Sequence, residues 1–396
     1  MNINYVKFKK PTKIGFFGDG SRYWGEPDNE YNLGGELPDS YQYNKWVWIG
    51  DNPNLEFKRV VEGETYDYLT GIDWYFLEQK QSQKLPHCKC KTIVIEHWGE
   101  DIFSYNDGKT LLPKEALAEQ LVKFDNIEYD EIILISPLID INFDLPPKVR
   151  IYLEPLAGPR FFCHKNNQMF WYNKQFFGGE FGAEWNTDTK NKLFHSMFFA
   201  LRPHRKKVLN ILHQDELLSN NGYFLGKDIP NTKVFETSDE YSDNTEYPLV
   251  LDKKIKYAAG RFAVSDVFAK QTYIELVVES LIYNGCTFMT EKVAKPFLGL
   301  QIPLFVSWIG YVEHLREQGF DMFDDIINHS YDNEVDENKR IDLVIKELKK
   351  LCKLDVPKLY SELKPRLLKN QKLFFDLIYE NDRNPKLWKF IFGDRV

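Results

Sequence analysis

"YIELVVESLIYNGCTFMTEKVAKPFLGLQIPLFVS", residues 273–307, decides the fold. "YIELVVES" and "IPLFVS" are unbroken apolar, β-branched runs that end on polar residues, the pattern of strands covered on both faces. "TEKVAKPFLGL" between them reads as a helix, so the stretch is strand, helix, strand, the unit from which parallel sheets are built. Upstream, "RPHRKKVLNILHQDELL" carries apolar residues at Val208, Leu209, Leu212 and Leu217, a helical stripe, and "NGYFLG" reads as a turn and short strand. Downstream, "YVEHLREQG" reads as a helix and "FDMF" as a closing strand. Alternation of this kind predicts a doubly wound parallel sheet.

The first half of the chain repeats the theme. Short strands are expected at residues 14–17, 92–95 and 132–135, with a fourth in "KVRIYLEP"; "LLPKEALAEQLVKF", with Pro113 near its start, suits an amphipathic helix. Residues 21–76 lack periodicity and are expected to hold irregular loops and a hairpin. From residue 338 onward the pattern is helical. The expected organisation is therefore an N-terminal α/β domain (1–155), a loop-rich crossing (156–200), a second α/β domain (201–337) and C-terminal helices (338–396). At roughly 150 residues per domain, two domains also follow from length alone.

Composition narrows the function classes. The 396 residues are 43% hydrophobic and 28% charged, with a net charge of −8 and a pI near 5.6. That is a globular composition, and its acidity argues against a protein whose main work is coating nucleic acid. No apolar run approaches the ~18 residues of a spanning helix, and "MNINYVKFKKPTK" has no signal-peptide core, so a cytoplasmic location without a membrane span is expected. Cys88, Cys90, Cys163, Cys286 and Cys352 are odd in number and scattered, which fits reduced thiols. "HCKC" and "CH" lack the C-x₂₋₄-C spacing of zinc sites, so no metal ligand is assigned.

Lys292 and Lys295 pose a charge problem. Thr290 suits an N-cap and Glu291 a first helical turn, but the positive end of a helix disfavours lysine unless an anion lies in front of it. A diphosphate would answer it, with turn N–H and ammonium groups converging on one anion. Pro296 leaves the register open between a helix begun at Glu291 and one begun at Pro296. The plain alternative is a surface helix with solvated lysines.

"FMTEKVAKPFLGLQIPLFVSWIGYVEHLREQGFDMF" resembles the "TEK" nucleotide-sugar signature of fucosyltransferase-like GT-B glycosyltransferases, in the form found in phage and giant-virus glycosyltransferase-like proteins. "RPHRKKVLNILHQDELLSNNGYFLG" resembles the family's arginine-led helix upstream. The resemblance covers about 130 residues from Arg202 and implies a GT-B-like fold, two Rossmann-like domains with a helical C-terminal extension. It implies that Glu291 holds the donor ribose and that Lys292 and Arg205 hold the diphosphate. Glu279, in the segment before the signature, either touches nucleotide or sugar or is an ordinary strand-end carboxylate, and Lys295 joins the same donor site by the charge argument above. Lys292 and Arg205 are expected to face a solvent-open cleft. The first half does not align with the family. A catalytic base is sought at expected strand ends, where Glu96 and Asp19 lead and His97 and Asp140 follow.

The function implied is transfer of a hexosyl or pentosyl group from a nucleotide-sugar to a hydroxyl acceptor, inverting, with no metal or cofactor and with the sugar nucleotide as co-substrate. The acceptor expected is a glycan or, given the viral resemblance, a hydroxymethylated base of phage DNA, in which case the protein acts in the host cytoplasm. Residues 22–24 and 170–172 would then stack on a flipped base. The rival is a non-catalytic nucleotide- or sugar-binding interaction protein on the same fold.

Overall fold

The computed structural model describes residues 8–16, 54–73, 87–96, 124, 126–136, 144–153, 190–198, 202–215, 217, 222–226, 271–282, 289–380 and 385–396. The chain divides into two compact units, Met1–Lys165 with Ile378–Val396, and Asn166–Leu377.

The first unit is built on six parallel strands: β1 (Thr12–Phe16), β2 (Leu55–Arg59), β3 (Thr65–Asp73), β4 (Cys88–Glu96), β5 (Ile127–Ser136) and β6 (Val149–Leu153), in the order β2-β1-β3-β4-β5-β6. Ile93, Val94 and Ile95 are successive and buried, as are Ile132 to Ile135, so side chains on both faces of the sheet centre are covered. The expected strands at 14–17, 92–95 and 132–135 and the fourth in "KVRIYLEP" are therefore present, three of them longer than read. The expected hairpin is not formed by β2 and β3, which flank β1 on opposite sides and run parallel to it. The expected helix over 111–124 lies almost wholly outside the described residues.

The second unit carries β7 (Lys192–Phe198), α1 (Pro203–Gln214), β8 (Gly222–Gly226), β9 (Thr272–Val278), a 3-10 turn (Glu291–Val293), α2 (Ala294–Leu298), β10 (Ile302–Val306), α3 (Tyr311–Glu317), α4 (Glu337–Leu351) and all but the last three residues of α5 (Val356–Glu380). Its strands are parallel in the order β10-β9-β7-β8, and every residue of β9 and β10 is buried. From β7 the chain moves outward to β8 on one side, and from β9 to β10 on the other. The β7/β9 boundary is thus a topological switch point, where open α/β sheets form a crevice beyond their strand ends.

Three boundaries differ from the sequence reading. β7 lies in the span read as a loop-rich crossing; its Lys192, His195 and Ser196 disguise a strand whose His195 and Ser196 are nonetheless buried. "FDMF" is no strand: Asn370 of α5 accepts from Asp321 N and donates to Asp321 O, and Phe323 sits at φ 60, turning the chain. The C-terminal helices are not one extension either. The last helix, α6 (Pro385–Phe392), packs Leu387, Trp388, Ile391 and Phe392 into the core of the first unit with Phe8, Ile14, Tyr68, Val94, Ile133 and Ile135. Phe392 meets Phe8 and Tyr68 edge-on at 4.8 and 4.9 Å, and Arg395 bonds Asp67 at 2.9 Å.

Candidate anion site at the end of β9

β9 stops at Val278, and the next residues, Glu279 and Ser280, sit at the switch point. Cationic side chains reach them from two directions. α1 begins here, with Pro203 in its first turn, where a missing N–H costs nothing. Arg202, at its N-cap, donates to Ser280 O; His204 Nε2 donates to Glu279 O at 2.9 Å. Arg205 Nη2 lies 3.3 Å from Val278 O and 3.4 Å from Ser280 Oγ. From the other side, Lys292 Nζ donates to Ser280 Oγ and Thr290 Oγ1, each at 3.0 Å.

Glu279 stands beneath this cluster, 1% exposed. Its Oε1 accepts from Thr290 N at 3.3 Å and Tyr311 Oη at 2.7 Å, and its Oε2 from Thr290 Oγ1 at 2.6 Å and Ser280 N at 3.2 Å. Among the described residues, Arg202, Arg205 and Lys292 therefore all bond to Ser280, whose own N–H donates to the Glu279 carboxylate. The crevice beyond the ends of parallel strands is where open α/β sheets bind ligands, and cationic side chains there suit an anionic one.

Thr290 caps the 3-10 turn as its sequence position implies, accepting from Lys292 N at 3.2 Å. The turn resolves the register question around Pro296. It runs into α2, which begins at Ala294, so Pro296 falls in the first α-helical turn, whose N–H groups have no intrahelical acceptor.

The neighbouring helix end is already occupied. α3 starts after Gly310, at φ 83, and its first N–H groups at Val312 and Glu313 donate to the Asp332 carboxylate at 2.9 Å each. Arg340 of α4, 1% exposed, fixes the adjoining loops by donating to the carbonyls of Ser307, Ile282 and Glu334.

Two sequence expectations need correction. Arg205 does not face open solvent: it is 3% exposed, while Lys292 is half-buried. Lys295 stands in the interior, 8% exposed, where its charge acts on Glu275 and His195. A helical turn past Lys292, it follows the buried face of α2 rather than the end of β9. Asp324 and Asp325 are held by Arg316 and Arg366, at 2.6 and 2.8 Å. Cys88 and Cys90 are buried on β4; burial pushes the Cys88 thiol up to about 11 and Cys90 further in the same direction.

The side chains of Glu96 and Glu291, and the residues Asp19, His97 and Asp140, lie outside the described residues. Glu96 is the last residue of β4, in register with Asp73 on β3 and Ile135 on β5. Sequence reasoning missed Arg202, Ser280 and Tyr311. Arg202 and Arg205, spaced i and i+3 across Pro203, both reach the end of β9, and that spacing was the available signal.

Comparison with known proteins gives a distant structural likeness. An α1,3-fucosyltransferase solved with GDP matches with a TM-score of 0.44 and 11% identity, over 96% of this chain and 94% of that one. A second α1,3-fucosyltransferase structure gives 0.42 and 11%, over 100% and 94%, and a third, solved with GDP-fucose, gives 0.39 and 11%, over 96% and 93%. At TM-scores below 0.5 the likeness carries no argument, and the α/β class stands on the two parallel sheets themselves. No protein-family model and no curated protein sequence matches the chain.

Proposed function

We propose that this protein is a GT-B-type glycosyltransferase whose donor site lies at the end of β9. The observation that carries the reading is the meeting of Lys292, Arg205 and Arg202 around Ser280 and Glu279 at the switch point. Positive charge there suits the diphosphate of a nucleotide-sugar. It also suits the reaction: as the bond from the anomeric carbon to the phosphate oxygen breaks, negative charge grows on the leaving nucleoside diphosphate, and fixed cations stabilise it more than the ground state. Lys and Arg then do the work of a divalent cation, so the reaction is proposed to need neither metal nor cofactor. Glu291 takes the ribose hydroxyls.

The acceptor hydroxyl attacks the anomeric carbon from the face opposite the departing diphosphate, inverting it, while a carboxylate removes the hydroxyl proton. Glu96, the last residue of β4, is the base we favour, with Asp19, three positions after β1 in the sequence, second. The acceptor is a glycan or a hydroxymethylated DNA base.

The test is a thermal-shift screen with UDP-, GDP-, CMP- and dTDP-sugars, followed by product assays on glycans and hydroxymethylated DNA. Stabilisation by one nucleotide class and transfer of its sugar is the expected result. Binding without turnover would make the chain a nucleotide-sugar-binding protein, and no stabilisation by any of them would remove the donor-site reading.

A further inference from the structure

We infer that Glu279 is a positioning residue that fixes the Lys292 ammonium and makes no contact with the donor. An ionised carboxylate offers about four acceptor sites. Those of Glu279 are matched by Thr290 N, Thr290 Oγ1, Ser280 N and Tyr311 Oη, so no capacity is left for a ribose or sugar hydroxyl. The consequence runs through hydroxyl geometry. Thr290 has one hydroxyl hydrogen, and it points at Glu279 Oε2 at 2.6 Å. The lone pairs of Thr290 Oγ1 are thereby turned to Lys292, whose N and Nζ donate to them at 3.2 and 3.0 Å. Ser280 is held at its backbone by the same carboxylate, and its Oγ lies within 3.0 Å of Lys292 Nζ and 3.4 Å of Arg205 Nη2.

One buried carboxylate thus orients one of the two hydroxyls that seat the lysine and holds the backbone that carries the other, which also meets the arginine. Tyr311 extends the arrangement to α3, because its hydroxyl bonds Glu279 from the first residue of that helix. Replacement by glutamine substitutes an amide N–H₂ for one acceptor and turns a donor against donors. Thr290 can then rotate, and the lysine loses its seat although it is itself unchanged.

Two measurements test this, the second resting on the donor-site reading and the first independent of it. In the first, the acetylation rate of Lys292 is followed by mass spectrometry without ligand in wild type, Glu279→Gln, Thr290→Val and Thr290→Ser. The lysine should react several-fold faster in Glu279→Gln and Thr290→Val and at the wild-type rate in Thr290→Ser, which keeps the hydroxyl. Equal rates in all four overturn the proposal, and the threonine pair alone decides it if Glu279→Gln does not fold. In the second, nucleoside diphosphate affinity is measured in a double-mutant cycle. Glu279→Gln should weaken binding about tenfold in the wild-type background and leave it unchanged in Lys292→Ala. Additive losses would make Glu279 an independent ligand contact and overturn the proposal. A wild type that binds no nucleoside diphosphate sinks the donor-site reading, and the acetylation rates still decide the role of Glu279.

Discussion

Lys292 and Arg205 carry the same charge to the same strand end under different constraints, and their variants should separate accordingly. Lys292 is half-buried in a short turn, and its ammonium bonds the side-chain hydroxyls of Ser280 and Thr290 rather than a main-chain carbonyl. Lys292→Ala is expected to weaken nucleoside diphosphate binding by ~1.5–3 kcal/mol, as the loss of a charge-assisted hydrogen bond does, with an unchanged melting temperature. Calorimetric titration beside a thermal melt checks both. Arg205 is 3% exposed and donates to a main-chain carbonyl inside the fold. Arg205→Ala should therefore lose stability as well, by ~1–3 kcal/mol for the buried acceptor left behind. A melt identical to wild type would contradict that burial. The base is the second question at this scale. Glu96→Gln keeps shape and removes proton acceptance, so turnover should fall ~10²–10⁴-fold with nucleotide affinity nearly constant. Asp19→Asn is the control: if it alone shows that fall, the base is Asp19, and if neither does, His97 and Asp140 become the ones to replace.

At the level of elements, the short α3 shows how much depends on groups far away in sequence. Its first N–H groups have no capping side chain of their own and donate instead to Asp332, twenty positions after Val312. Asp332→Asn leaves one acceptor oxygen and no charge facing the positive end of the helix, so ~1–2 kcal/mol of stability should be lost, read from urea denaturation. A loss below a few tenths would mean that water replaces the cap. This contact also marks what the sequence shows and what it hides. β4, β5, β9 and β10 are legible because strands covered on both faces must be continuously apolar, as "TIVI", "IILI", "IELVV" and "IPLFV" are. β2, β3 and β7, which read "LEFKR", "TYDYLTGID" and "KLFHSMF", mix charge with aromatics and look like loops. Their polar groups are answered by tertiary partners that no local pattern reveals. Asp67 accepts from Lys13 N, Lys91 and Arg395, and His195 meets Thr272 Oγ1 at 2.8 Å. At the site, the lysine after Thr290 was legible from its conflict with a helix start. The burial of Arg205, Glu279 and Arg340 was not, since a charged residue in a polar segment reads as solvated until its partners are known.

For the whole molecule, two bulk measurements follow. If lysine and arginine neutralise the leaving group, sugar transfer should continue in excess chelator; activity abolished by EDTA and restored by Mn²⁺ or Mg²⁺ would contradict that mechanism. The other concerns stability against pH, and it arises from an ionisable group inside the second unit. Glu275, 3% exposed, lies 3.7 Å from His195 Nε2 and within the field of Lys295. Burial pushes its carboxyl up to about 8, with Lys295 pulling in the opposite direction. The folded chain therefore keeps a proton on Glu275 between pH 4.5 and about 8 that the unfolded chain has released, and stability falls as pH rises through that range. His195 acts against it lower down. Burial, then Lys295 and Lys190, hold it down to about 3, so stability rises with pH from there to 6.5. Lys190, lowered to about 8 by burial, adds stability only as pH climbs above that value. Between pH 6.5 and about 8, Glu275 is thus the member of this cluster that sets the slope. The free energy of unfolding should drop by up to ~2 kcal/mol across the window, at 1.36 kcal/mol per unit. Glu275→Gln, which needs no proton to stay neutral, should flatten the same stretch of the profile. If the wild type is already flat there, Glu275 is ionised at neutral pH and paired with Lys295, and the core of this unit is a buried ion pair.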